Sequence, residues 1–214
     1  MIVSIHQPNI LPHLDYFKKL KESDIHIFLD CVEFSKQSYT QRVKLPSGWI
    51  TIPVHKHSND LRIADVKLKM DEKDINKILN KIQNDYQDSP HFNPLFEQLV
   101  DMFTHAPPSL SRLNFHLINL ICKILDIDYL YKFSSRMTTY GHKTMRLLRL
   151  LKQVNATEYL CGIGSHNSYL DKPLLEKHGI TCNLLHSTAQ PYSVIHNIFT
   201  EGVDRVKERL EGYD

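Results

Sequence analysis

The sequence lacks a long apolar run, a paired cysteine motif and any internal repeat. No run approaches the roughly 20 apolar residues that a membrane-spanning helix needs, and the opening residues carry no basic leader. The four cysteines stand apart without CxxC or Cys/His finger spacing: Cys31, Cys122, Cys161 and Cys182. We therefore expect a cytoplasmic protein with reduced thiols.

The chain also lacks a strong charge of either sign. Lys and Arg number 26 against 24 Asp and Glu, and this balance excludes a whole-body field that would hold a long nucleic acid. A local basic patch stays open, and the 13 histidines could add positive charge below neutral pH. With 42% hydrophobic residues, a chain of 214 residues can bury a sizeable core, and we expect one globular domain.

Short apolar runs alternate with amphipathic segments at both ends of the chain. Ile2 to Ile5 and Ile25 to Leu29 are predicted strands, and the spacing predicts a helix over Leu11 to Lys21 between them. Strand, helix and strand within one short stretch are typical of a parallel sheet. Further strands are predicted over 128–133, 157–161 and 180–186, and helices over 140–154 and 194–210.

A hairpin and a helical segment interrupt this alternation. Arg42 to Leu45 and Trp49 to Ile52 predict a β-hairpin, and Val66 with Leu68 suggests one more strand. Residues about 71–126 lack strand signals, and prolines divide them into three predicted helices. We therefore predict a single α/β domain over residues 1–214, with a mainly parallel Rossmann-like sheet, a β-hairpin and a helical insertion at about 71–126.

Polar residues follow the first two predicted strands. His6, Gln7 and Asn9 come directly after the first strand, and Asp30 ends the second. Because ligands of open parallel sheets bind beyond the carboxyl ends of the strands, we expect His6 and Asp30 to face one crevice. His6 is the candidate acid or base, and Asp30 could orient it, hold a metal or accept from a sugar hydroxyl. Alternatively, His6 and Asn9 cap the following helix and Asp30 caps a turn.

A second polar block runs from Phe34 to Arg42. Lys36 and Arg42 flank Tyr39, and two cations beside a tyrosine suit a phosphate or carboxylate with a ring or sugar nearby. Arg42 can grip such an oxyanion with two N–H groups, while Lys36 acts as a point charge. Gln41 is a further substrate-binding candidate. A solvated loop that leads into the hairpin explains the same pattern.

A loop of small residues follows the predicted strand that ends at Cys161. Gly162 and Gly164 would let the backbone approach a ligand and expose amides to an anion. Ser165 and Tyr169 are further substrate-binding candidates in the same loop. The third glycine of a dinucleotide fingerprint and the lysine of a P-loop are missing, and a tight strand-to-helix turn is the alternative interpretation.

Two further features have weaker functional interpretations. Lys143, Arg146 and Arg149 fall on neighbouring helical positions and predict a basic ridge, which is either a solvated helix face or a contact for a phosphate-bearing substrate. His55 and His57 share one side of an extended segment but have no nearby carboxylate or cysteine. We therefore assign no metal site, and nothing in the pattern names a cofactor.

Several short motifs together resemble the WbqC-like protein family. They keep the family's order along nearly the whole chain: 5–12 with 16–19; Asp30 with 34–36, Tyr39, Gln41 and Arg42; Gly48-Trp49 before 52–54; Ser134-Ser135; Thr144 with Arg146-Leu147; Tyr159-Leu160; and 162–170. His13 and Asp15 depart from the pattern, because the family usually has an aromatic residue and a glycine there. Ser165 replaces the second member of a small-residue pair.

The resemblance implies an enzyme. WbqC-like proteins are associated with gene clusters for surface polysaccharide, including O-antigen, and relatives occur in phages. The implied activity is a transferase that attaches an amino acid (glycine is one candidate) or an acyl group to an activated sugar or nucleotide. Two alternatives stay open: an amino acid:DNA transferase that modifies phosphorylated pyrimidine bases in phage DNA, and a non-catalytic sugar-nucleotide-binding module.

These hypotheses share one set of residues and partners. The predicted catalytic residues are His6, Asp30 and Lys36. The expected partners are a small-molecule sugar nucleotide or an amino acid, with nucleic acid possible for a phage protein and no membrane.

Overall fold

The structure is a computed structural model, and it describes residues 1–56, 60–162, 170–187 and 191–212. Three predicted substrate-binding residues, Gly164, Ser165 and Tyr169, lie outside the described residues, as does His57. The chain forms two compact units, each assembled from separate segments. Unit 1 comprises Met1–Gln7, Asp15–Cys31 and Ile127–Gln190, and unit 2 comprises Pro8–Leu14, Val32–Asp126 and Pro191–Asp214. The number of independently folding domains stays a prediction.

Unit 1 is built on a five-stranded parallel sheet. Its strands are β1 (Ile2–His6), β2 (Ile25–Phe28), β5 (Leu130–Phe133), β6 (Glu158–Cys161) and β7 (Thr181–Leu184). Their spatial order is β5-β2-β1-β6-β7, so the direction of strand addition reverses between β1 and β6. Doubly wound dinucleotide-binding folds have this order. The predicted mainly parallel, Rossmann-like α/β sheet is confirmed.

Helices pack on both faces of this sheet. They are α1 (Leu14–Lys21), α5 (Lys143–Gln153) and α6 (Lys172–Lys177). One face forms an apolar cluster with α5, which includes Val3, Ile5, Ile27, Leu147, Leu148, Leu150 and Leu151. Because side chains alternate along a strand, Ser4 and His26 point to the other face, where the His26 ring lies 5.6 Å from the Tyr16 ring of α1.

Unit 2 contains the predicted hairpin and the helical insertion. Its elements are β3 (Arg42–Leu45), β4 (Gly48–Thr51), α2 (Glu72–Tyr86), α3 (Phe92–Thr104), α4 (Leu110–Ile124), α7 (Val194–Glu201) and α8 (Val203–Leu210). The hairpin is antiparallel, with Arg42 opposite Thr51. Asp71 caps α2, since its carboxylate accepts from the backbone N of Asp74 at 2.8 Å. The hairpin and the three predicted helices are confirmed.

The structure departs from the predicted elements at two helix starts, at one predicted strand and in the closing helix. The helix predicted over 140–154 is α5, which begins at Lys143. The first helix begins at Leu14 rather than Leu11, because Leu11 has a φ of 39° that no α-helix contains. Val66 and Leu68 do not form a strand; Leu68 makes only an isolated bridge. The closing helix is divided at Gly202, whose φ is 87°.

The described part of the chain contains neither a candidate membrane span nor a candidate metal-ion cluster. None of its helices combines the length and the apolar composition that a membrane span requires. No group of three or more His, Cys, Asp or Glu side chains there is arranged to hold a metal ion.

Candidate functional site

The carboxyl ends of β1 and β6 lie side by side in unit 1, where the strand order reverses. Ser4 of β1 pairs with Leu160 of β6, so the residues that follow both strands reach the same edge of the sheet. Crevices at this position hold the ligands of open parallel sheets, because the connections on either side run in opposite directions. We call this edge the switch edge and define it by His6, Gln7 and Gly162.

His6 ends β1 and is partly buried against α1. Its ring centroid lies 4.9 Å from that of Tyr16, and its backbone carbonyl accepts from the backbone N of Leu29 at 2.8 Å. The Tyr16 hydroxyl donates to the carbonyl oxygen of Gln7 at 3.1 Å. These contacts hold the imidazole and the following peptide at the end of β1.

The Asp30 carboxylate is buried and bound by two serines that follow β5. Oδ1 accepts from Ser134 Oγ at 3.0 Å and from the backbone N of Ser135 at 2.8 Å, and Oδ2 accepts from Ser135 Oγ at 2.8 Å. These three bonds tie the segment after β2 to the segment after β5. Among the described residues, no hydrogen bond joins Asp30 to His6, and the predicted orienting role of Asp30 stays a prediction.

A buried polar cluster lies between α1 and the strands β1 and β2. Ser4 Oγ lies 2.8 Å from Ser23 Oγ and 2.7 Å from His26 Nδ1, and His26 Nε2 lies 3.4 Å from the Tyr16 hydroxyl. Burial lowers the pKa of His26 well below its ordinary value, and the positive charge of Lys19 lowers it further. A neutral imidazole offers one donor and one acceptor nitrogen, so it can serve both hydroxyls without a buried charge.

Lys19 of α1 is a buried cation that the sequence did not single out as a site residue. The side chain is only 5% exposed, and Nζ lies 3.2 Å from the position that a Cβ atom on Gly162 would occupy. Burial lowers the pKa of Lys19 to about 8, although Cys161 and Asp15 act in the opposite direction. The spacing of three residues between Tyr16 and Lys19 could have indicated its burial, because residues three apart lie on the same face of a helix.

Unit 2 carries the second predicted polar block. Lys36 is exposed, whereas Gln41 is buried. The Gln41 amide donates to the carbonyl oxygen of Ile52 at 3.0 Å, and its oxygen accepts from the backbone N of Gln37 at 3.0 Å. Gln41 therefore shapes the loop with both ends of its amide.

An exposed aromatic surface in unit 2 consists of Tyr39, Arg42 and Trp49. The Arg42 Cζ atom lies 4.1 Å from the Trp49 ring centroid, and the Tyr39 and Trp49 rings are 5.7 Å apart. Tyr39 is 52% exposed and Trp49 39% exposed. A guanidinium stacked on an indole keeps a fixed orientation. The sequence predicted Tyr39 and Arg42 as binding residues, but it placed Trp49 only in a motif.

Asn9 is buried in the Pro8–Leu14 segment of unit 2. This segment is held by α4, because Asn114 Nδ2 donates to the carbonyl oxygens of Pro8 at 2.8 Å and Thr40 at 2.7 Å. One amide of α4 therefore joins the two loops that contain the first and second motifs.

The predicted basic ridge on α5 is partly occupied by contacts with the turn that precedes the helix. Arg146 Nε donates to the carbonyl oxygen of Gly141 at 3.0 Å, and Arg149 donates to that of Tyr140 at 2.7 Å. The Arg149 guanidinium also lies 3.4 Å from the Tyr140 ring centroid. Arg146 and Arg149 therefore stabilise the start of their own helix.

Comparison with known proteins agrees with the order of motifs along the chain. The model of the WbqC-like protein family matches residues 7–206. This chain belongs to that family. This WbqC-like protein is also similar to a protein of Mycobacterium tuberculosis (strain ATCC 25618 / H37Rv) with the name "Uncharacterized protein Rv1507c". The two are 30% identical over 185 residues, which cover 82% of this chain and 78% of that protein. No solved structure matches.

The predicted site residues of this WbqC-like protein are distributed over both units. His6, Gln7, Asp30 and Gly162 belong to unit 1, and Asn9, Lys36, Tyr39, Gln41 and Arg42 belong to unit 2. Unit 1 brings His6, Gln7 and Gly162 to the switch edge. Unit 2 brings Tyr39 and Arg42 together at Trp49. Convergence of the two sets in one crevice stays a prediction.

Proposed function

We propose that this WbqC-like protein is a transferase that attaches an amino acid (glycine is one candidate) or an acyl group to an activated sugar or nucleotide in surface polysaccharide biosynthesis, including O-antigen. Membership of the family supports the biological setting. The observation that carries the enzymatic part is the position of His6 at the switch edge, which also contains Gly162 at the end of β6. A histidine at this place in a parallel sheet can exchange protons with a bound substrate near neutral pH.

Amino-acid transfer needs a proton acceptor and a leaving group. The amine nitrogen attacks the activated carbon, a C–N bond forms, and the C–O bond to phosphate breaks so that phosphate leaves with the electron pair. The amine loses one proton, and His6 is its acceptor in this proposal. In acyl transfer the attacking amine or hydroxyl forms a bond to the acyl carbon, the bond from that carbon to the donor's leaving group breaks, and the leaving group departs with the electron pair while His6 accepts the proton of the attacking group. The exposed ammonium of Lys36 in unit 2 is a separate catalytic candidate, tested by its own substitution to Met.

The role of His6 is tested by His6→Gln with His105→Gln as the matched control. His105 lies at the exposed end of α3. Full-length proteins are incubated with sugar nucleotides and isotope-labelled glycine, and products are detected by mass spectrometry. We expect His6→Gln to lose about 100-fold or more in rate with an unchanged circular dichroism spectrum, and His105→Gln to match wild type. Full activity in His6→Gln refutes the role. Tight binding without any product favours the non-catalytic binding module.

A second candidate function is the amino acid:DNA transferase. The aromatic surface of unit 2 supports it, because exposed rings with a stacked guanidinium suit the faces of nucleobases. We expect Trp49→Ala to weaken single-stranded DNA binding about tenfold, since stacking is worth about 1–3 kcal/mol per base. Tyr131→Ala, an exposed aromatic of β5 in unit 1, is the control. Fluorescence anisotropy at several salt concentrations provides the measurement. Binding that neither needs Trp49 nor weakens with salt argues against this candidate.

A further inference from the structure

Lys19 holds a charge in a place where charges are costly. The side chain is buried between α1 and the sheet, with Nζ beside Gly162 at the switch edge. In the described ranges, Nζ makes no hydrogen bond and no ion pair. An ammonium that is largely withdrawn from water and has no counter-ion among the described residues is destabilised by the lost hydration. An anionic ligand bound at this edge would stabilise it.

The charged and titratable groups around Lys19 compensate its charge only in part. Asp15, one turn earlier on α1, acts favourably on the ammonium, but its carboxylate accepts a hydrogen bond from Ser187 Oγ at 2.5 Å. Cys161 of β6 acts in the same direction. On β2, His26 is neutral and hydrogen-bonded to Ser4. No ion pair within the described residues neutralises Lys19.

We propose that Lys19 Nζ, beside Gly162, is an oxyanion-binding subsite of the switch edge that takes the phosphoryl or carboxylate group of the substrate. Gly162 has no Cβ, and a methyl group there would lie only 3.2 Å from Nζ, so the amine can lie directly against this glycine. The edge where strand order reverses is also where parallel sheets place phosphates. An ammonium binds an oxyanion with strong, charge-assisted hydrogen bonds. The inference deepens the proposed function, since it assigns a substrate group to the same edge.

The test measures binding without turnover. Isothermal titration calorimetry of the full chain uses three probes: inorganic phosphate, inorganic pyrophosphate and acetate. We expect saturable binding to wild type and a loss of about tenfold or more in Lys19→Met, which equals about 1.4 kcal/mol or more. The unbranched Met side chain fills the volume of the aliphatic part of lysine and carries no charge, so the variant is expected to fold. Lys21→Met on the same helix, where Lys21 is exposed, should bind as wild type does.

A second variant keeps the charge and moves it. Gly162→Ala should weaken binding several-fold, because the new methyl group displaces Nζ from its position. A second readout is proton uptake. An oxyanion beside Lys19 raises the pKa of that lysine from about 8, so binding at pH 8.5 should take up protons in wild type and not in Lys19→Met. Calorimetry in buffers of different ionisation enthalpy measures this uptake.

Each outcome has a defined meaning. Stronger binding of phosphate or pyrophosphate identifies a phosphoryl group as the ligand, and stronger binding of acetate identifies a carboxylate. Equal binding by wild type and Lys19→Met, or no saturable binding of any probe to wild type, overturns the subsite. If Lys19→Met loses oxyanion binding but wild type never forms a transfer product, the subsite stands and the proposed transferase fails. If Lys19→Met turns over at the full wild-type rate, the subsite alone fails.

Discussion

Lys19 Nζ lies 3.2 Å from the point where a Cβ on Gly162 would stand, so an amine of α1 and the glycine directly after β6 occupy adjacent places in unit 1. The helix belongs to the first crossover of the sheet, and Gly162 follows a strand from the second half of the chain. Two motifs far apart in sequence therefore meet at the switch edge. This contact has consequences for stability as well as for binding.

Lys19→Met should stabilise the protein near pH 7 and remove one pH dependence. Burial lowers the pKa of Lys19 from 10.5 to about 8, so the unfolded chain binds more protons between these values and this lysine adds stability as pH rises through them. Below that window the buried charge costs up to about 3 kcal/mol. Urea unfolding should show a large gain of Lys19→Met over wild type at pH 7 and a smaller one at pH 10. Equal gains at both values would contradict the account.

Gly162→Ala should displace the side chain of Lys19, because the added methyl group would stand 3.2 Å from Nζ and the amine must move by a few tenths of an ångström. In a Lys19→Ala background the same substitution should change the free energy of unfolding much less, since the amine is gone. A double-mutant cycle by urea denaturation measures the coupling between the two positions. Strictly additive effects would show that the two groups are not in contact.

Asp30→Asn should destabilise unit 1 by about 2 kcal/mol. An amide presents only one acceptor oxygen, whereas the carboxylate accepts three hydrogen bonds from Ser134 and Ser135. Ser135→Ala removes one hydroxyl and should cost about 1 kcal/mol. Hydrogen exchange of the Ser135 amide should speed up in Asp30→Asn. A variant as stable as wild type that has lost turnover would instead favour the predicted catalytic role of Asp30.

Asn114→Ala should loosen the two loops of unit 2 that carry family motifs. It leaves the carbonyl oxygens of Pro8 and Thr40 without their amide donor, at a cost of about 2 kcal/mol. The amide of Ile10, which donates to the carbonyl oxygen of Tyr39 at 3.0 Å, reports on both loops. Its hydrogen exchange should accelerate in Asn114→Ala and stay unchanged in Asn119→Ala on the same helix. Unchanged protection in both variants would refute the anchoring role.

Much of the fold follows from local patterns. The runs at Ile2–His6 and Ile25–Phe28 predict buried strands because their β-branched and aromatic residues favour strands and most of these residues are buried. The division of the last helix was missed, since the helical period continues through Gly202. That glycine adopts a φ of 87°, and a Cβ there would lie 2.9 Å from His91 Nε2. A glycine in this conformation commonly ends a helix, so Gly202 was a local signal that the prediction did not use.

The candidate site was only partly predictable. His6 was found because it directly follows a strand, and strand ends mark the binding edge of a parallel sheet. Lys19 was missed because lysines in a short amphipathic helix are usually solvated, whereas this side chain is buried with its amine against Gly162, which is far away in sequence. The serine partners of Asp30 come from the end of β5. Only the strand order places those serines beside β2.

The central claim is that the switch edge of unit 1 binds the substrate, and backbone amide chemical shifts test it most directly. The full chain, labelled with ¹⁵N, is titrated with inorganic pyrophosphate and followed by two-dimensional NMR. The account predicts progressive, saturable shifts for the amides of His6, Gln7 and Gly162, which disappear in Lys19→Met. Shifts confined to unit 2, for example at Trp49, or no saturable shifts at the switch edge, would contradict it.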